Sequence, residues 1–461
     1  MAQHKWTRRE IIQTGAAAFA LPYLIPSHVL SAAGRPGAND KVNVAIIGLG
    51  GRARDIAKTC LEVSALRVVA VCDCFSPACD AFVKAVGKDQ NWATYDDFRQ
   101  MYAKEKLDGV MIETTTHARA WTTIHAMQAG MDVYIEKPMA LTIAEGRIMV
   151  QAARKLGRVT QVGTQQRSMP INNWASDLVK NGALGKVHTV LAPNFVGPDR
   201  WTDQPGQPLP AGGREGWWDI WTNQALFRPY HKLLHRGWSR WWDYDGGGRV
   251  FGVTGWGTHS YDQIQRALGT DETGPVEVWL EEPVKVEPSG KFEQAAPEDD
   301  TGAGYHKMAK AVTGPRAKVS MKFANGTELK LHLDGDRGPG LGAIFVGTKA
   351  KLEINRNKLA SNPKELIQSP DNPGPNQKPE TQYHIENWAE CIKTRGRCTA
   401  DIEYGQRTTT LCYLVNIVRD VGRVGEKFQW DPAAERFTNC DEANQLLTRP
   451  RRQGWELPAI T

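Results

Sequence analysis

No stretch of the 461-residue chain reaches the ~20 consecutive apolar residues that a bilayer-crossing helix needs, because Pro22 and Pro26 interrupt the one long hydrophobic run. No membrane span is expected. Charge of one sign is scarce as well: the formal net charge is +6, and Lys5, Arg8 and Arg9 against Glu10 supply part of it within the first 33 residues. What remains is spread over a large body, which argues against nucleic acid as a partner. Cysteine is sparse. Cys72, Cys74 and Cys79 are unevenly spaced, unlike zinc ligands, and Cys391 and Cys398 can bridge in an oxidising compartment; most of the eight read as buried thiols. Tyr230-His231 and His235 offer an i, i+4 pair without a nearby third ligand, so no metal is assigned. No internal repeat is present.

What the chain does have is a short apolar strand, VNVAII, running into Gly48-x-Gly50-x-x-Ala53 and then a helix. Gly48 permits a tight turn, Gly50 lets main chain approach a pyrophosphate, and Ala53 is small enough for close helix–strand packing. Gly51 and Arg52 complete that loop, whose helix amino terminus faces the phosphates. A second strand, LRVVAV, ends at Asp73, 25 residues past Gly48, where a carboxylate binds ribose hydroxyls and favours NAD over NADP. The bland alternative is an ordinary βα turn with a polar strand end.

The length exceeds one ordinary core, so two domains are expected after a leader. VNVAIIG, LRVVAV, DGVMIE, DVYIE and VTQVG alternate with helical stretches, the pattern of an α/β, doubly wound parallel Rossmann sheet over residues 41–165. Residues 166–440 change texture to long β-prone runs with turn signals such as Asn325-Gly326, which predicts an α+β domain around a large, mostly antiparallel sheet. Within it, Gly197 to Gly248 is rich in Gly, Pro and Trp and reads as loop or lid; Ser361 to Pro379 reads as an exposed connection, and Gln382 to Ile392 and Gly405 to Arg419 as helices. Residues 441–461 form an irregular tail.

DVYIE delivers Glu136-Lys137-Pro138 at the carboxyl rim of the sheet, where open α/β folds bind ligands. Partial burial there lowers a lysine pKa and lets Lys137 exchange a proton with a carbinol; taken alone, it is as readily a surface lysine. His117, after DGVMIE, also lies at the rim, as a ligand contact or a polar helix start. With these residues the sequence resembles the Gfo/Idh/MocA group of glucose-fructose oxidoreductases and inositol dehydrogenases. The resemblance runs from about Lys41 to the carboxyl end and includes Gly163-Thr164-Gln165-Gln166-Arg167 and Gly257-Thr258-His259-Ser260-Tyr261-Asp262. It implies NAD held by Gly48, Gly50, Gly51, Arg52, Ala53, Asp73, Glu136, Lys137 and Gln165. Lys137 and His259 become the catalytic pair, Pro138 follows a cis peptide bond, and Arg167 and Asp262 lie on the substrate side. It also implies a homo-oligomer, dimer or tetramer.

One departure stands out. Many members carry an aspartate four residues before the histidine, and here that place is Gly255, leaving Asp262 at i+3 as a candidate to orient His259. Eight of the sixteen tryptophans lie between Trp201 and Trp256. Flat rings such as Trp242, with Tyr244 beside it and Arg236, Asp243 and Asp245 nearby, suit the faces and hydroxyls of a sugar; the alternative is a satellite core or a subunit contact.

Thr7-Arg8-Arg9 ahead of GAAAFALPYLIP resembles a twin-arginine export signal over residues 1–33, so a periplasmic protein is expected, membrane-tethered if uncleaved. An exported enzyme meets no cofactor pool, and its NAD must stay bound and be recycled in place. The expected activity is oxidation of a sugar, sugar derivative or polyol. The alternatives are a glycosidase or lyase working by transient oxidation of a sugar hydroxyl and, more distantly, a sugar-binding protein without catalysis.

Overall fold

The computed structural model describes residues 40–286, 314–333 and 339–460. Every strand and α-helix among the described residues lies in one compact unit, Val42–Thr461. The twin-arginine leader lies outside the described residues.

Residues 42–162 alternate strand and helix. β1 (Val42–Ile47) leads to α1 (Gly51–Glu62), β2 (Leu66–Cys72) to α2 (Ser76–Val86), β3 (Ala93–Tyr95) to α3 (Phe98–Lys104), β4 (Gly109–Ile112) to α4 (Thr116–Gln128), β5 (Asp132–Ile135) to α5 (Ile143–Lys155), and β6 (Thr160–Val162) closes the sheet. All pairs are parallel, in the order β3-β2-β1-β4-β5-β6. Parallel strands covered on both faces should read as nearly unbroken apolar runs, and β4 and β5 are buried at every position. Strand order reverses between β1 and β4, which opens a crevice beyond their carboxyl ends. β3 carries three residues and had too little hydrophobic pattern to be read from sequence.

After α6 (Pro170–Lys180) and β7 (Val187–Pro193), the insert contributes two short helices, α7 (Trp217–Thr222) and α8 (Lys232–Arg236), before α9 (Trp256–Leu268). The next strands are β8 (Pro275–Leu280), β9 (Lys285–Val286), β10 (Pro315–Arg316), β11 (Val319–Phe323), β12 (Glu328–Leu333), β13 (Gly342–Gly347), β14 (Lys351–Asn355) and β15 (Lys358–Asn362). Then come α10 (Glu380–Thr394), α11 (Ile402–Val421), β16 (Phe428–Asp431), β17 (Arg436–Phe437) and α12 (Asp441–Gln445). Nine of these strands form one sheet, β15-β14-β13-β7-β12-β11-β8-β16-β17, antiparallel except between β7 and β12. The α/β class and the mostly antiparallel second sheet agree with the sequence reading. Gly326, at φ +87°, turns the β11–β12 hairpin where Asn325-Gly326 predicts it.

Period-two alternation puts Leu352 and Ile354, Leu329 and Leu331, and Phe345 on one face of the large sheet. There they form a core with Tyr261 and Ile264 of α9 and Leu411, Leu414 and Val418 of α11. The two halves are not independent. Ile385 and Trp388 of α10 return to pack with Val44, Ile46 and Ile56, so a late helix completes the core of the first sheet. Arg147 of α5 joins Glu403 at 2.7 Å and Glu435 at 2.8 Å, a second tie between the halves.

Candidate active site

The site begins at the turn after β1. Gly48 has φ +88°, and a Cβ on it would lie 2.7 Å from the Thr114 nitrogen and 2.8 Å from the Glu113 carbonyl carbon, so only glycine fits. A Cβ on Gly50 or Gly51 would meet nothing within 4 Å. Gly50 precedes α1 without a side-chain cap, and Gly50, Gly51, Arg52 and Ala53 line one wall of a cleft of about 690 Å³. Amides at the start of α1 are thus offered to an anion rather than to the protein's own side chains.

Asp73 lines the same cleft. Its Oδ2 accepts from the Leu49 amide and its Oδ1 from the Phe75 amide, both at 2.9 Å, so the carboxylate is held against the glycine turn with lone pairs left for ribose hydroxyls. Burial pushes its pKa up, opposed by those two amides and by the Arg236 charge. The cradle, the uncapped helix start and the oriented carboxylate fit an NAD molecule.

At the far end, Glu136 accepts from Arg52 Nε at 2.8 Å and, through its other oxygen, from the Lys137 amide at 2.8 Å. The Lys137–Pro138 peptide is cis, as the resemblance implies. Lys137 is half-buried on the cleft wall, and its Nζ donates to the Gly255 carbonyl at 3.3 Å. Burial pulls its pKa down; Glu136 and Asp245 oppose that, and Arg119 and Arg52 reinforce it. Gly255, just before α9, stands where the resemblance leads one to expect an aspartate. A Cβ there would sit 1.9 Å from the Arg249 carbonyl oxygen, so the local backbone forbids any side chain.

His259, one turn into α9, is 5% exposed, and its Nδ1 has no hydrogen-bond partner among the described residues. Burial first, then the positive charges of Lys137, Arg356 and Arg52, hold it well below an ordinary histidine pKa, so it is a neutral imidazole. Lys137 and His259 thus sense each other electrostatically across the two halves, though the imidazole is not part of the cleft wall. Asp262 takes other partners. Arg167 Nε reaches it at 2.7 Å and Thr408 at 2.9 Å, while Arg167 also pairs with Asp271 at 2.7 Å. Two carboxylates keep that guanidinium charged; the pair fixes α9 against the turn after β6 and leaves His259 unbonded to Asp262. Gln165 donates to Glu380 at 3.2 Å, and Arg356 meets the same carboxylate at 3.0 Å.

Most rings of the insert pack against one another. Trp217, Trp218, Trp221, Tyr230, Trp241 and Tyr244 form a buried aromatic core with Phe75, the second residue after Asp73. Trp218 and Trp221 stack at 4.6 Å and 11°, face to face with each other. Trp242 lies between Arg200 at 4.0 Å and Arg449 at 3.6 Å, and Tyr244 packs on His117 at 4.8 Å; neither lines the cleft. His117 is an anchor. Its Nε2 bonds the Trp221 carbonyl at 2.8 Å, its main-chain carbonyl takes the Gln224 amide at 2.8 Å, and burial pushes its pKa down to about 3. Arg214, Arg236 and Trp238 bring the insert onto the cleft beside Asp73.

Glu113 and Arg119 escaped the sequence reading. Glu113 ends the apolar run DGVMI at the ligand rim, the same signal that marked Asp73. It is half-buried on the cleft wall, both carboxylate oxygens are enclosed and without a hydrogen-bond partner among the described residues, and desolvation and the neighbouring Glu136 push its pKa up to about 8. Arg119 carried no such signal; it donates to the Pro138 carbonyl at 2.6 Å and to Thr116 at 2.9 Å.

Residues 42–164 match the oxidoreductase family with the NAD-binding Rossmann fold, and residues 175–292 and 300–457 match the same family's carboxyl-terminal alpha/beta domain. The chain belongs to the Gfo/Idh/MocA oxidoreductase family. Residues 42–164 are therefore an NAD-binding Rossmann domain. Among curated relatives, D-glucoside 3-dehydrogenase of Escherichia coli is 32% identical over 152 residues, 33% of this chain and 42% of the relative. D-apiose dehydrogenase of Paraburkholderia graminis is 31% identical over 141 residues, 31% of this chain and 37% of the relative. The chain thus spans about two fifths of the length of these relatives. Among solved structures, aldose-aldose oxidoreductase from Caulobacter crescentus, complexed with glycerol, superposes with a TM-score of 0.54 at 18% identity, covering 84% of this chain and 99% of that one. That likeness speaks for the fold.

Proposed function

We propose that this protein is an NAD-dependent oxidoreductase acting on a hydroxyl of a sugar, sugar derivative or polyol, with Lys137 as the proton carrier. The observation that carries the reading is Lys137 itself: an amine on the wall of the dinucleotide cleft, half-buried, with its pKa lowered by desolvation. NAD, when bound, would supply the hydride acceptor. Lys137 Nζ, when neutral, accepts the proton of the carbinol as its carbon is oxidised, and the resulting ammonium is met by the Gly255 carbonyl. Glu136 holds the lysine main chain through its amide and is itself fixed by Arg52. Neutral His259 offers a second hydrogen-bonding group from the other half. The sugar dehydrogenases among the relatives support the substrate class.

We further infer that the cofactor stays bound between turnovers. The aromatic core of the insert is rooted on Phe75, whose ring lies 4.6 Å from Trp217, so the insert is packed against the Asp73 wall of the cleft that would hold the cofactor. Retention suits the exported protein that the Arg8-Arg9 leader suggests, and the family resemblance favours more than one copy per particle, measurable by light scattering. The test is to denature purified protein, identify the released dinucleotide, and screen free sugars and aryl glycosides against the intact holoprotein. Reduction of bound NAD by a free sugar supports the reading. Aglycone release without net change in nicotinamide absorbance replaces it with the redox-assisted glycosidase, and no response to either class overturns it.

A further inference from the structure

Lys137 has neighbours that work against each other, and one of them has no role yet. Glu136 from its own strand end is engaged by Arg52 of α1 and by the Lys137 amide. Arg119 of α4 and neutral His259 of α9 add no negative charge, and Cys412 and Tyr413 of α11, which act on Asp245, are driven toward their uncharged forms by burial. Glu113, on the same cleft wall, is driven toward its uncharged form by burial, so the carboxylate that remains is Asp245. It comes from the insert, is completely buried, and lines the same cleft. Its Oδ2 accepts the Thr116 hydroxyl at 2.5 Å and its Oδ1 the Thr254 hydroxyl, which fixes its orientation from both sides. Among the described residues no arginine or lysine forms an ion pair with it. A buried carboxylate answered only by two hydroxyls is short of positive charge, and the cations that act on it are Arg119 and Lys137. Thr254, which holds it, adjoins Gly255, whose carbonyl receives the Lys137 ammonium.

We propose that Asp245 is the positioning carboxylate of Lys137, supplied by the insert at a point where the main chain of Gly255 leaves no room for a side chain. When the carbinol proton arrives on Nζ, the new ammonium forms beside a fixed anion and stays aimed at the cleft. The insert then has two tasks, packing along the dinucleotide and setting the charge of the lysine. This assignment rests on Lys137 being the proton carrier, but its test reads charge rather than turnover, so the two claims fail separately.

The experiment is trace acetylation of Lys137 in the intact holoprotein as a function of pH, read by peptide mass spectrometry. In Asp245→Asn the midpoint should fall by on the order of one pH unit, because an anion that favours the ammonium is gone. Asp245→Glu should return it most of the way, and Asp243→Asn, at the Arg228 ion pair, should leave it unchanged. An unchanged midpoint in Asp245→Asn, or equal shifts in the asparagine and glutamate variants, overturns the assignment. Should Asp245→Asn not fold, Lys137→Met reads the coupling from the other side. With its ammonium removed and Glu136 still held by Arg52, the Asp245 carboxyl is raised further. Such a group stabilises below its unfolded pKa and loses that contribution as pH rises through the folded value. The melting-temperature deficit of Lys137→Met should therefore grow from pH 5 to pH 8; a deficit independent of pH overturns the assignment.

Discussion

The glycine turn and the tryptophan-rich insert meet along one cleft, yet they encode their roles in opposite ways. At the turn, function is local: strand, Gly48, Gly50, Ala53 and Asp73 follow one another, and each has a steric or hydrogen-bonding reason visible in its neighbours. In the insert, function is relational. Most rings that resemble a sugar platform in sequence instead face one another and Phe75, and what reaches the cleft is Asp245 and two arginines, Arg214 and Arg236, beside Trp221 and Trp238. Residue type alone identifies a phosphate cradle because main chain does the binding; it does not identify a platform, because a ring has two faces and sequence does not say what covers them.

The sharpest way to break the comparison is at Gly48. Gly48→Ala must place a methyl group within 3 Å of main chain at residues 113 and 114 and adopt a left-handed conformation. Dinucleotide binding should be lost outright, seen by calorimetry on refolded apoprotein. If the alanine variant binds NAD normally, the local reading of the turn fails. Next in size is Lys137→Ala, which keeps fold and cofactor but loses turnover by about 10²- to 10⁴-fold, the range of a proton-transfer group, once a substrate is known. Unchanged turnover would remove Lys137 from the chemistry.

For the insert, the corresponding variant is Trp217→Ala. Trp217 is almost fully buried against Phe75, Trp218 and Tyr230, so its loss should cost about 3–5 kcal/mol of stability. If the insert retains the cofactor, the dinucleotide off-rate should rise along with that loss. A destabilised variant that still holds NAD through dialysis would make the insert a satellite core and nothing more. A smaller effect is expected at Asp73→Ala, which removes the ribose partner together with the bonds to Leu49 and Phe75. NAD affinity should weaken, and the preference over NADP should narrow, both measurable by titration.

The contrast also explains how much could be read in advance. Both sheets were legible because hydrophobic period reports burial directly: β4 and β5 as unbroken apolar runs, β14 as an alternation. β3, β16 and β17 were not, being too short to carry a period. Lys137, Asp73 and the glycines were legible because they end strands at a rim that topology reserves for ligands. Arg167 and Asp262 lie in matching motifs, but the structure joins them in an ion pair with Asp271. His117 sits at the rim and turns away from it, because Trp221, more than a hundred residues later, offers a carbonyl. No local pattern contains that information. Cys391 and Cys398 are both buried free thiols here.

Glu113 allows the finest comparison, since it stands at the same kind of strand end as Asp73 but has none of its hydrogen bonds. Its carboxyl is enclosed with Glu136, while Arg52 and Arg119 supply opposing positive charge and Asp55 adds a weaker negative one; burial wins, and its pKa is pushed up to about 8. The unfolded chain loses that proton near pH 4.5, the folded one near pH 8. The folded state therefore binds more protons between those values, and the contribution of Glu113, complete below about pH 4.5, is lost as pH rises to 8 and absent above it. Glu113→Gln does not titrate, so its stability should fall less steeply across that window, with a melting temperature that gains on the parent by a few degrees between about pH 5 and pH 9. Parallel curves for parent and variant would mean that Glu113 is ionised throughout, neutralised by Arg52 and Arg119, and that the rim carries one more fixed negative charge than its unpartnered oxygens indicate.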